Sequence, residues 1–200
     1  MTLPLPVGVR EGLAARSAHG SPPLDPDDLA GWLAAALNLH VEETDDLPPH
    51  ISAAYRACDA AVTGVRGIVV MRPGLRWPRW VLGHEAGHAL TDTGTGFFLW
   101  DDGHYHVNLP AEKAANAAAA CLLLPVGDIH TAFFEGQTIG QIAAEYAVPP
   151  DAIELRVRLA ALLGEGSASR LRRQATRLAR LGPSPCVTRP PTPPPPTPRA

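Results

Sequence analysis

The run His84-Glu85-Ala86-Gly87-His88 narrows what this chain can be more than any other feature. On an α-helix, positions i and i+4 share one face, so His84 and His88 can reach a single ion. Neutral imidazoles suit Zn2+. Glu85, next to the first histidine, can enter such a site without binding the metal and accept a proton from water there. The flanking residues Trp80, Val81, Leu82, Ala89 and Leu90 are uncharged, so the helix can lie along a core and hold its side chains rigidly. With this chain's own His and Glu frequencies, a chance match to the pattern is expected in roughly one of 70 such sequences.

A two-histidine zinc site needs a third protein ligand and an open position. Glu112 is the first acid after Asp101 and Asp102, and it stands in the first turn of the next helical run. Asn116 follows four residues later on the same face, where it can hydrogen-bond a ligand histidine and fix its tautomer. Alone, Glu112 would read as an acid favoured by the helix dipole. An asparagine inside an alanine-rich helix is locally unfavourable, which makes Asn116 more informative.

The rest of the chain sets the frame. Its 200 residues, 46% hydrophobic and 18% charged, suit one domain with a core. The net charge of −3 gives no global case for nucleic-acid binding. That average conceals a division: residues 1–165 hold all 20 acids against 10 bases, so they carry −10, whereas 166–200 hold seven Arg and no acid. Nine of the 22 prolines lie between Pro183 and Pro198. Cys58, Cys121 and Cys186 are too few and too scattered for a disulfide framework or a Cys-x-x-Cys site. Pro4 and Pro6 break the apolar start, and no apolar run is long enough for a bilayer, so the expectation is a cytoplasmic protein without a membrane partner.

Read for organisation, residues 1–24 form an irregular N-terminal arm and 25–165 a single domain. Asp25 caps a helix opened by Pro26. Leu39–Asp46 is a short edge strand, and Gly67–Arg72 is a strand closed by Pro73-Gly74. Trp80–Leu90 is helical, Phe97–Asn108 is a loop or short hairpin, and Ala111–Leu124 is a helix stopped by Pro125. A helix pair resembling a helix-turn-helix occupies 138–163. Residues 166–182 are a basic helix or linker, and 183–200 are a proline-rich, disordered tail.

The pairing of His84–His88 with Glu112-Lys113-Ala114-Ala115-Asn116, continuing through Leu122-Leu123-Leu124-Pro125, resembles the ImmA/IrrE-type metallopeptidases. Those proteins carry an HExxH helix and then a helix of the form E-x-x-A-N-x-x-A-x-x-L-L-x-P. The likeness spans roughly residues 25–163. It implies an α+β, mostly helical, zincin-like domain with a small β-sheet and a C-terminal helical segment. It further implies His84, His88 and Glu112 as zinc ligands, Glu85 as general base, and helix-turn-helix repressors as substrates. Ala114 stands where many members have a second Glu, and Asp92 where many have a further His. Peptide hydrolysis also needs a donor for the developing oxyanion. Tyr105 is the choice from His104, Tyr105 and His106.

The expected function is thus zinc-dependent endopeptidase action on a regulatory protein. One alternative is a DNA-binding or partner-binding regulator that uses the 138–163 pair, with a structural or vestigial zinc site. Another is a zincin-shaped interaction module without hydrolysis. Against DNA reading, Asp151 and Glu154 stand at the start of the second helix, where they would repel phosphate. Direct nucleic-acid binding is therefore disfavoured.

Overall fold

The computed structural model describes residues 6–48, 51–91, 96–98, 100–101, 104–105 and 110–164, with the side chains of 96–105 outside that description. Three strands, β1 (Leu39–Glu43), β2 (Ala53–Ala57) and β3 (Gly67–Met71), form a sheet with β4 (Gly96–Phe98) in the order β1-β3-β2-β4. β1 runs parallel to β3, while β2 is antiparallel to both β3 and β4. β1 is thus an edge strand, as its acids at Glu42 and Glu43 suit. In β3, Gly67, Val69 and Met71 are buried and Ile68 and Val70 half-buried, the alternation expected of a sheet covered on one face.

Helix α2 (Pro26–Leu37) begins as its sequence dictates. The Asp25 carboxylate accepts from the amides of Asp27 and Asp28, and Pro26 needs no amide partner there. Its stripe Leu29, Leu33 and Leu37 is buried, each side chain contributing roughly 1.5–3 kcal/mol. Two short elements complete the N-terminal half and its margin: α3 (Ala60–Thr63), and a two-stranded pairing of β5 (Trp100–Asp101) with β6 (His104–Tyr105). The latter agrees with the short-hairpin reading of Phe97–Asn108.

The N-terminal arm is a correction. Residues expected to be irregular form α1 (Val9–His19), which packs on α5 (Pro110–Leu123). Its sequence has weak amphipathicity, and the cause of its order is contact. At Gly8 and Gly12 a Cβ would run into the backbone of Ala114 and Ala118 in α5. The missing side chains let the two helices approach closely, and Val9 and Ala15 are buried with them.

α5 packs on a second partner, α4 (Pro78–Thr91). Ala114 through Leu123 of α5 and Arg79 through Ala89 of α4 are continuously buried. The C-terminal carbonyls of α5 are met by three arginines. Arg16 donates to Leu122 O at 3.0 Å, Arg79 to Leu123 O at 3.3 Å and Arg156 to Leu124 O at 2.9 Å. Cations at a helix C-terminus satisfy its open carbonyls and its dipole. Beyond Pro125 the chain turns into α6 (Val126–Phe134), which the sequence reading did not single out. α7 (Ile139–Glu145) starts at a Thr138–Gln141 capping box, and α8 (Pro150–Leu163) follows. No single described helix is long and apolar enough to cross a membrane. The basic and proline-rich segments 166–182 and 183–200 lie outside the described residues.

Candidate active site

The site grows from the α4–α5 contact. A Cβ on Gly87 would collide with the carbonyl of Ala115, and one on Gly83 with the Leu123 side chain. Each glycine immediately precedes a histidine of the motif, so close backbone approach and histidine placement are tied to one stretch of helix. Arg66 donates to Ala89 O at 2.7 Å and so meets the last turn of α4.

Across this contact Glu112 faces both histidines. One carboxylate oxygen lies 3.0 Å from His84 Nε2 and the other 3.4 Å from His88 Nε2, while the two Nε2 atoms are 3.1 Å apart. One ligand atom from each residue lies within 4.8 Å of the others. His84 and His88 are fully buried, and the Glu112 side chain is 14% exposed. On its far side, His84 Nδ1 donates to Asn116 Oδ1 at 2.9 Å. That leaves Nε2 as the lone-pair nitrogen.

The electrostatics favour a neutral His84 and an ionised Glu112. Burial lowers the His84 pKa; the charge and hydrogen bond of Glu112 act in the opposite sense but do not cancel it. Burial pushes Glu112 upward, yet its contacts with His84 and His88 together outweigh this and hold it at about 2. Two imidazole nitrogens and a carboxylate converging on one centre are a donor set that fits a divalent cation such as Zn2+.

Glu85 is fully buried beside this group. Burial, then the charge of Glu112, raises its pKa well above the usual carboxylate range, and the Tyr55 backbone pulls the other way. β2, which the sequence reading did not single out, therefore borders the acid. The structure brings His84, Glu85, His88, Glu112 and Asn116 together. Tyr105 and His104 pair through their backbones with Trp100 and Asp101, but their side chains, and all of His106, lie outside the described residues. Sequence reasoning also passed over Gly83, Gly87 and the arginines below α5. The recoverable signal was the repeated Gly-x-x-x-Gly spacing at Gly8–Gly12 and Gly83–Gly87.

A helix-borne pair of histidines and a glutamate from the next helix, set beside a small sheet, define an α+β zincin-like domain. Residues 78–158 match the family model of the IrrE N-terminal-like domain, Peptidase M78. This match, from the first residue of α4 into α8, supports an ImmA/IrrE-type metallopeptidase. No curated protein and no solved structure matches the chain.

Proposed function

We propose that this protein is a cytoplasmic zinc-dependent endopeptidase that cleaves a regulatory protein, with helix-turn-helix repressors as its substrate class. The observation that carries the catalytic part is the convergence of His84, His88 and Glu112 with buried Glu85 alongside. His84, His88 and Glu112 would hold the metal, whose bound form supplies Lewis acidity toward a carbonyl.

The protein's own residues do the remainder. Asn116 keeps His84 in the tautomer that presents Nε2. Glu85, with its raised proton affinity, takes the proton of the attacking water and delivers it to the departing amide nitrogen. Its complete burial keeps competing water away and strengthens its interaction with developing charge. Tyr105 is the proposed donor to the oxyanion. The family supports peptidase chemistry; the repressor substrate follows from the resemblance. Asp151 and Glu154 are exposed at the start of α8, which favours a protein partner there over nucleic acid.

The test is purification followed by metal analysis and cleavage assays. Near-stoichiometric zinc is expected, with cleavage of a cognate repressor that a chelator stops. Glu85→Gln should retain zinc and lose roughly 10²–10⁴-fold in rate. A Glu85→Gln protein that still cleaves at the wild-type rate rules Glu85 out as the base, and a protein without zinc rules out the enzyme reading.

A further inference from the structure

We propose that residues 1–7 are an autoinhibitory strap, which folds back in cis across the Glu112 edge of the active site and takes the place of a substrate polypeptide. Its consequence rests on the peptidase reading, whereas the contact itself is measured without activity.

The direction of α1 carries the proposal. α1 and α5 lie side by side at a constant offset of 106 residues: Gly8 abuts the carbonyl of Ala114, Gly12 that of Ala118, and Arg16 donates to Leu122 O at 3.0 Å. The two helices are therefore parallel, and α1 begins at the end of α5 that holds Pro110, Ala111, Glu112 and Lys113. In the metal-ligating cluster and its neighbouring acid, His84, Glu85 and His88 are 0% exposed and the Glu112 side chain 14%. Solvent thus meets this group at Glu112, two residues from the alanine on which Gly8 rests.

The sequence of the segment suits an extended occupant. It reads Met1-Thr2-Leu3-Pro4-Leu5-Pro6-Val7 and contains no charged residue. Each proline fixes its own φ and keeps the preceding leucine out of the helical region. Pro6 O accepts from Val9 N at 3.3 Å, which joins the segment to α1. Val7 is 67% exposed, a large apolar side chain left in water at this end of the helix pair. Five further residues precede Pro6, outside the described residues. Fully extended, five residues span up to about 17 Å, against roughly 5.4 Å for the whole first turn of α5, so reach is not limiting. Pro4 and Pro6 have no N–H, so the segment lacks two of the donors that an ordinary extended substrate presents. It can therefore occupy the entrance without aligning as a substrate does. A short tether also holds it at a roughly millimolar effective concentration, so even a weak contact is occupied in cis.

The experiment compares the full-length protein with its Leu3→Asp/Leu5→Asp variant. Both substitutions lie upstream of the first α1–α5 contact, so the thermal midpoint should not change. The amide resonances of Ala111, Glu112 and Lys113 are expected to shift in the variant. Titration with a synthetic peptide of residues 1–9 at millimolar concentration should return them toward their wild-type positions. On denatured casein, the zinc-loaded variant should show a kcat/KM roughly two- to ten-fold above wild type, and the peptide should reverse the gain. The proposal is overturned if the amides of 111–113 do not move, or if the peptide leaves the variant's spectrum unchanged. Equal or slower cleavage by the variant also overturns it, the slower rate marking residues 1–7 as a wall of the substrate cleft. Shifted amides with no cleavage by either protein support the contact and count against the peptidase reading instead.

Discussion

Gly87 lies against the carbonyl of Ala115 so closely that a Cβ at position 87 has no room. This contact sets how near α4 comes to α5, and hence whether Glu112 reaches His84 and His88. Gly87→Ala should therefore do two things at once. It should destabilise the fold by about 1–3 kcal/mol through overpacking, and it should weaken zinc binding by separating the donors. Gly127→Ala is the matched control, since a Cβ there meets nothing within 4 Å in α6. That change should be neutral or stabilising by about 0.5–1 kcal/mol. Denaturant unfolding of both variants, with a chelator competition for zinc, checks the contrast.

Asn116 should matter for the metal more than for the fold. Its Oδ1 holds His84 Nδ1–H at 2.9 Å, and removal of such a partner typically lowers metal affinity by roughly 10–100-fold. Asn116→Ala is expected to show that loss in a chelator titration. Asn116→Asp retains an acceptor oxygen and should recover most of the affinity. Equal zinc affinity in wild type and Asn116→Ala would remove the residue from the site.

The legible parts of this protein are those written in local patterns. Spacing alone placed His84 and His88 on one helix face, and Glu112 and Asn116 on one face of the next. Asp25-Pro26 announced α2, and the run Gly67–Met71 announced a strand. What stayed hidden depends on partners distant in sequence. α1 has little amphipathic signal, because its order comes from Gly8 and Gly12 against alanines more than 100 residues away. β2 pairs with β3 and β4 through its backbone, while its own sequence Ala53-Ala54-Tyr55-Arg56-Ala57 carries no strong β-pattern. The burial of Arg79 and Arg156 leaves no local pattern, since their acceptors are main-chain carbonyls without a residue type.

Arg79 provides a direct test of those carbonyl contacts. It is fully buried and donates to Pro23 O, Tyr146 O and Leu123 O. Its desolvation pulls the guanidinium pKa down to about 10. Arg79→Met keeps much of the side-chain volume but leaves these acceptors without their donor, each at a cost of about 1–3 kcal/mol if buried. Arg79→Lys keeps a charge but cannot span three divergent acceptors. Both variants should unfold at markedly lower denaturant concentration. An unchanged midpoint for Arg79→Met would show that these bonds contribute no net stability.

Tyr146 gives the fold a defined response to alkali. Its hydroxyl donates to Asp128 Oδ2 at 3.1 Å. Burial first, and then the Asp128 charge and this hydrogen bond, push its pKa up to about 12 from 10.0. Between those values the folded protein holds a proton that the unfolded chain has released, so stability must fall as pH rises. The hydroxyl's contribution is fully present below pH 10 and disappears as the pH passes through 12. Wild type and Tyr146→Phe should therefore differ in stability by a constant amount near neutrality, with wild type losing ground above pH 10. Asp128→Asn should move the tyrosinate absorbance transition of Tyr146 down toward 10. Unfolding curves at several alkaline pH values, read beside a spectrophotometric titration, measure both effects. A wild-type-to-variant difference that stays flat across this range would show that Tyr146 ionises alike in the folded and unfolded chain.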